Sequence, residues 1–338
     1  MTPVLILGAS GYVGGELLRL LDAHPTLEAG PLVGDSRSGD AVRNVHPHLA
    51  IAYPTQRIEA FAPDLLDGCD LVFAALPHGA SQRVAPAIVA RGVPFVDLGA
   101  DFRLRDAEEY ARWYGEAHEA PELLGRFAYG IPEIARDAIR ESRSVAAAGC
   151  YPTAAILACK PLVHAGLIDP STLVVDATSG VSGAGRAAKE ATAFTTVSES
   201  LSAYGLLSHR HTAEMQQALG ARVLFTPHLG PMNRGILATC YATATGPMDA
   251  DAPLQALRAA YAGEPFVHVS DAPPATKWTL GSNAVHLTAR YDARTGRVLA
   301  IAALDNLGKG AAGQMIQCAN LMLGLDETAG LSTCGVYP

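Results

Sequence analysis

The sequence predicts an α/β chain in two parts, a first domain of β-α-β units on a parallel sheet and a second α+β domain with a mixed sheet. Three observations predict this. Short apolar runs alternate with helical patterns over the first 100 residues, the spacing of stacked β-α-β units. After Gly149 strand-like runs dominate and the crossovers lengthen. The length, 338 residues, corresponds to two domains at about 100–200 residues each, both large enough to bury a core without metal or disulfide staples.

In chain order, the apolar runs at 4–7, 27–33, 71–75 and 95–98 read as strands, and the patterns at 11–23 and 80–90 as helices. Residues 101–139 are mixed, aromatic and charged, consistent with loops and short helices packed beside the sheet. A helix follows at 153–165, then strand-like runs at 173–177, 222–226, 235–243, 266–269, 285–291 and 299–304. The last pattern, 310–324, is apolar around a broad face and is expected to be buried, against the first domain or in a dimer. No repeat, low-complexity tract or long linker interrupts the chain, so the domains are expected to interleave.

Composition excludes several classes. The formal net charge is -8, and the 25 Lys and Arg are scattered, so no basic run exists to displace counterions from a phosphate backbone. Nucleic acid is not an expected partner. No apolar run reaches the roughly 18 residues of a membrane span. The N-terminus opens on a strand-like segment without a basic leader, the pattern expected of a cytoplasmic protein. Six cysteines in 338 residues, with no Cys-x-x-Cys pair, are too sparse for a disulfide scaffold.

The first chemical signal is the turn Gly8-Ala9-Ser10-Gly11-Tyr12-Val13-Gly14 between the first strand and first helix. Glycines there let backbone turn tightly and approach a pyrophosphate, while the helix N-terminus favours the anion. The spacing differs from the common dinucleotide fingerprint because Ser10 stands at the middle glycine, and a turn that only packs is the alternative. About 20 residues on, Asp35 suits a ribose 2′-hydroxyl, whereas Arg37 with Ser36 and Ser38 suits a 2′-phosphate. The combination favours NADP, with a solvated loop charge as the other reading of Arg37.

The second signal is Cys150, which follows an Ala-rich run and stands where a helix begins. A helix N-terminus stabilises a thiolate and so makes a nucleophile at neutral pH. Cys69, Cys159, Cys240 and Cys318 lie in apolar stretches and read as small hydrophobes, and Cys334 as tail. A nucleophilic thiol needs a proton handler, and His209-Arg210-His211-Thr212-Ala213-Glu214, just before a short helix, is the densest candidate. No clustered third ligand makes a metal site of it. His46 and His48 read as loop. Two further glycine loops, 179–186 and 305–310, each follow a strand and offer backbone N–H groups for a phosphate or nicotinamide, or serve only as turn and cap.

The segments GASGYVGGELLRLL, ALPHG, DLGADFRL, YGIPE, AGCYPTAAIL, SGVSGAGR, HRHTAE, PHLGPMNRGIL and DNLGKGAAGQ, spread in order from end to end, resemble the N-acetyl-γ-glutamyl-phosphate reductases of arginine biosynthesis. The resemblance implies a Rossmann-type NADP-binding domain over residues 1–149 and 309–338. It implies a catalytic, substrate-binding and oligomerisation domain over 150–308, and a homodimer or homotetramer. It implies catalysis by Cys150 and His209, with Gly8, Ser10, Gly11, Tyr12, Val13, Gly14, Ser36, Arg37, Ser38, Leu76, Pro77, His78, Ser182, Gly183 and Asn306 contacting NADP(H). Arg103, Arg186, Arg234, His211 and Glu214 are candidates for contacting the small-molecule acyl phosphate, with no metal involved. Two residues depart from the family: Ala148 stands where proline is usual, and Asp35 is unusual beside the phosphate-reading residues.

The resemblance implies NADPH-dependent reduction of the acyl phosphate to an aldehyde through a Cys150 thioester, with His209 sustaining the thiolate and delivering a proton. The alternative within the superfamily is the reductase of carrier-protein-linked aminoadipyl or glutamyl phosphate in lysine biosynthesis. That pattern lacks the Tyr-Pro-Thr continuation after cysteine and the SGVSGAGR and PHLGPMNRG loops. Aspartate-semialdehyde dehydrogenase shares the architecture but not the HRH segment. Outside the superfamily, a cysteine acyltransferase or hydrolase would need no dinucleotide, and a redox-sensing NADP-binding regulator would need no Cys/His pair.

Overall fold

The computed structural model describes residues 1–338 and divides into two compact units, 1–148 with 311–331 and 149–310 with 332–338. In the first unit the elements run β1 (Thr2–Leu7), α1 (Tyr12–Asp22), β2 (Leu27–Val33), α2 (Val42–Val45), β3 (Leu71–Ala74), α3 (Ser81–Ala90), β4 (Phe95–Asp97), α4 (Ala107–Tyr114), β5 (Ala128–Gly130), α5 (Pro132–Glu141) and β6 (Ser144–Ala147). The strands pair in parallel in the order β2-β1-β3-β4-β6-β5. Such a sheet is buried on both faces. Leu17, Leu18 and Leu21 of α1 pack with Met315, Ile316 and Ala319 in one cluster. Ala85 and Ile88 of α3 pack with Phe102, Leu124 and Phe127 in another.

The second unit opens with α6 (Cys150–His164) and continues through β7 (Ile168–Gly180), α7 (Phe194–Val197), β8 (Ser202–Ala203), α8 (His211–Leu219), β9 (Leu224–Gly230), β10 (Ile236–Ala244), α9 (Ala252–Ala260), β11 (Val267–Val269), β12 (Val285–Asp292) and β13 (Arg297–Leu304). Its seven strands lie in the order β11-β12-β13-β10-β7-β9-β8. The central pairings are antiparallel, whereas β7 with β9 and β11 with β12 are parallel, so the sheet is mixed as expected. Burial alternates along β10 and β13, the period-2 signature of a sheet with one covered face. The covering helix is α6, almost entirely buried and packed on β7, β10 and β13.

The last helix, α10 (Gly313–Met322), belongs to the first unit and follows a π-helical turn over Gly308–Ala312. The tail departs from expectation. Residues 332–338 lie with the second unit rather than the first, because Asn283 N–H donates to Ser332 O at 2.8 Å and Val336 N–H to Leu280 O at 2.7 Å. No helix is long and apolar enough to cross a membrane.

Candidate active site

In the first unit the chain leaves β1 at Leu7 and enters α1 at Tyr12. Gly8 makes the turn with φ +86°, left-handed backbone that favours glycine. No side chain caps α1, so its positive end is presented by backbone alone. The turn has a support that the sequence reading missed. His46, read as a loop residue, is 1% exposed and its Nε2 lies 2.8 Å from Ala9 O. At the end of β2, Ser36, Arg37 and Ser38 are exposed, and Arg37 makes only a 3.4 Å surface pair with Asp40. Such a pair contributes little, so the guanidinium can turn to an anion.

Leu76, Pro77 and His78 follow β3, and their loop is shaped by Asp101, whose carboxylate is wholly buried. Asp101 Oδ1 accepts the Gly79 N–H at 2.9 Å and lies 3.0 Å from His78 Nδ1, while Oδ2 accepts the Gln82 N–H at 3.2 Å. His78 Nε2 faces Glu116 at 3.0 Å. Arg103, a candidate substrate contact, is nearly buried here and donates to Leu98 O at 2.6 Å. Asp97, at the end of β4, is also wholly buried. One oxygen accepts from Ser81 Oγ at 2.7 Å and Gly99 N–H at 2.8 Å, and the other has no partner. Burial above all, and then nearby Asp101, pushes its carboxyl up to about 7, against the opposing pull of those two hydrogen bonds and Arg103.

In the second unit Cys150 is the first residue of α6, with Gly149 as N-cap, so the helix begins three residues before its expected start. The thiol is partly exposed and none of the six cysteines is in a disulfide. Thr153 Oγ1 donates to Gly149 O at 2.9 Å, and Gly149 N–H donates to Glu214 Oε2 at 3.0 Å. Glu214, expected to meet substrate, is wholly buried in this grip. Gly310 lies close against the cysteine, and a Cβ there would stand 2.8 Å from Cys150 Cβ.

His209 precedes α8 and sits in an aromatic enclosure. Its ring meets Tyr151, Tyr204 and Phe225 edge-on, with centroids 5.7, 5.5 and 5.4 Å away, and His211 at 4.8 Å. Burial, reinforced by the Arg210 charge, lowers the imidazole to about 4. Tyr151 OH donates to His228 O at 2.9 Å and accepts from Tyr204 OH at 3.2 Å, and burial drives the Tyr204 hydroxyl up to about 12. His211 Nε2 lies 3.9 Å from Glu214.

The two glycine loops of this unit meet through Asn306, whose Nδ2 donates to Ser182 Oγ at 2.9 Å and whose Oδ1 accepts the Gly235 N–H at 2.7 Å. Gly183 and Arg186 are exposed on the same loop as Ser182. Arg234 pairs with buried Asp305 at 3.0 Å, and Asp305 also accepts the amides of Gly281, Leu307 and Gly308. No group of three or more His, Cys, Asp or Glu side chains is placed to hold a metal ion.

Residues 3–142 match the family described as semialdehyde dehydrogenase, NAD binding domain, and residues 150–306 match semialdehyde dehydrogenase, dimerisation domain. Solved structures agree in fold. Aspartate semialdehyde dehydrogenase II from Vibrio cholerae, complexed with ASA, superposes with TM-score 0.71 at 17% identity, covering 96% of this chain and 98% of that one. The Candida albicans aspartate semialdehyde dehydrogenase with NADP gives 0.70 at 15%, with the same coverages. The chain is thus an oxidoreductase of the semialdehyde dehydrogenase class.

Within that class its relatives are specific. It is 46% identical to the N-acetyl-gamma-glutamyl-phosphate reductase of Moorella thermoacetica (98% of this chain, 99% of the relative). It is 47% identical to that of Desulforudis audaxviator (100% of both) and 49% to that of Frankia casuarinae (99% of both). The chain belongs to the N-acetyl-gamma-glutamyl-phosphate reductase family.

Proposed function

We propose that the chain reduces N-acetyl-γ-glutamyl phosphate to N-acetylglutamate 5-semialdehyde and phosphate with NADPH. One observation carries the reading: Cys150 is the first residue of a buried fifteen-residue helix, with Gly310 close against its Cβ. The helix N-terminus stabilises the thiolate, and the same positive end favours the developing oxyanion of an acyl group on sulfur. The thiolate attacks the acyl carbon and expels phosphate, leaving a thioester. The nicotinamide, when bound, supplies the hydride that reduces this thioester. Tyr151, Tyr204 and Phe225 narrow the solvent access of His209, which stabilises charge at the sulfur.

The residues present fit the dinucleotide. The Gly8–Gly14 turn and uncapped α1 suit the pyrophosphate, with Ser10, Tyr12 and Val13 assigned to it and Gly11 holding the turn by donating its N–H to Gly8 O at 3.0 Å. Exposed Arg37, Ser36 and Ser38 suit the 2′-phosphate that separates NADP from NAD. Leu76, Pro77 and His78, on the loop that Asp101 shapes, are assigned to the cofactor. So are Ser182, Gly183 and Asn306. Arg103, Arg186, Arg234 and His211 remain the candidates for substrate phosphate or carboxylate, whereas Glu214 is buried on the Gly149 N–H. The matched dimerisation domain supports a homo-oligomer, dimer or tetramer, and a nucleophilic thiol suits the reducing cytoplasm.

The reading is tested by incubating purified protein with the semialdehyde and NADP⁺ without phosphate. Intact-mass measurement should find an acyl adduct that maps to Cys150, and an unmodified Cys150 would contradict it.

A further inference from the structure

Asp305 follows the last residue of β13, and its wholly buried carboxylate collects donors from three stretches of the second unit. Oδ1 accepts the N–H groups of Leu307 and Gly308 at 2.9 and 3.2 Å and lies 3.0 Å from Arg234 Nε, while Oδ2 accepts the Gly281 N–H at 2.6 Å. The Asp305 carbonyl accepts the Gly310 N–H at 2.9 Å. One residue therefore shapes the whole turn from 305 to 310. The turn has no slack: a Cβ on Gly308 would collide with Ser282 O, and one on Gly310 would stand 2.8 Å from Cys150 Cβ. The Ser282 side is held in turn by the C-terminal tail, through the Asn283 N–H on Ser332 O at 2.8 Å and the Val336 N–H on Leu280 O at 2.7 Å.

We propose that Asp305 is a positioning residue for Cys150, holding the thiol at the N-terminus of α6 through Gly310. The stabilisation that a helix end gives a thiolate falls away within a turn, so it depends on where the first turn of α6 and its side chain sit. Two contacts set that position: Glu214 takes the N-cap amide of Gly149 at 3.0 Å, and Gly310 rests against Cys150. Asp305 governs the second through the turn.

Charge and position act with opposite signs here. Tyr151 and Tyr204 lie within electrostatic reach of the thiol, Glu214 carries the Gly149 amide, and Asp305 is paired with Arg234. Replacing Asp305 by a neutral residue removes one negative charge and leaves Arg234 unbalanced, which through space would favour the thiolate. Releasing the turn would instead let Cys150 move off the helix end and disfavour it. Alanine and asparagine are equal in charge at this position, but only asparagine keeps an oxygen for the Leu307 and Gly308 amides.

This inference rests on the acyl-phosphate reading only for making Cys150 the nucleophile, and its test needs no substrate. Iodoacetamide labelling of Cys150 in the full chain is followed against pH, by the mass of its peptide so that exposed Cys334 is counted apart. Asp305→Ala should raise the midpoint of the labelling rate by about one unit, which is about tenfold slower labelling below it, and Asp305→Asn should restore most of that. Gly310→Ala, which keeps both charges and sets a Cβ against Cys150, should also raise the midpoint, and it decides the matter where Asp305→Ala does not fold. A midpoint unmoved or lowered in Asp305→Ala, equal shifts in the two Asp305 variants, or an unmoved midpoint in Gly310→Ala overturns the inference. A wild-type chain without semialdehyde activity contradicts the acyl-phosphate reading alone.

Discussion

Gly149 N–H and the buried carboxylate of Glu214 meet at 3.0 Å, tying the N-cap of the helix that Cys150 begins to the helix that follows His209. The contact fixes the turn that carries Cys150 from a residue 65 positions away. Glu214→Ala leaves that amide buried without an acceptor, a loss of about 1–3 kcal/mol. The expected result is a lower melting temperature and a lower kcat, with KM for NADPH little changed and Glu214→Gln restoring most of both. A variant that loses only affinity for the semialdehyde would place Glu214 on the substrate instead.

Cys150→Ser should leave folding and NADPH binding nearly intact and reduce turnover by several orders of magnitude, because a serine hydroxyl without a base is a poor nucleophile. Circular dichroism, cofactor titration and steady-state rates check this. Activity above about a tenth of wild type would move the nucleophile elsewhere.

Arg37→Ala should raise KM for NADPH far more than for NADH, since a charged hydrogen bond to a 2′-phosphate contributes about 1.5–3 kcal/mol. Parallel titrations of the two cofactors decide it. Equal effects would place Arg37 outside the phosphate site.

Asp97 gives a pH prediction whose sign follows from its raised carboxyl. The native state holds a proton at Asp97 up to about pH 7, whereas the unfolded chain releases it near the ordinary value of 3.8. Between those values the native state binds more protons, so Asp97's contribution to stability declines as pH rises and is lost above about 7. Asp97→Asn keeps an oxygen for Ser81 and Gly99 without the ionisation. Melting temperatures from pH 5 to 8 should therefore fall less steeply in the variant, and identical slopes would mean that Asp97 is ionised in the native protein.

The strands of both sheets were legible wherever apolar runs were long, as at β1, β10 and β13. The short β5 and β6 were not, because Ala128–Gly130 and Ser144–Ala147 are mostly small residues with little hydrophobic signal. Cys150 stood out by its place at a helix start, yet that start was set at Thr153. Pro152, outside that expected helix, is the third residue of the observed one and lies in the first turn, where no N–H is needed. Asp101, Glu214 and His46 act through partners far away in sequence, and no local pattern reports a buried carboxylate that collects distant amides. The bond from the His211 N–H to His209 Nδ1, by contrast, is local: it depends on a turn of two residues, visible only once the backbone is in place.

Substrate and reaction are tested most directly in the reverse direction. Purified protein given N-acetylglutamate 5-semialdehyde and NADP⁺ should reduce the cofactor continuously only when inorganic phosphate is present, with the rate saturating in phosphate. Cofactor reduction that proceeds equally without phosphate, or none at all with it, would contradict the account.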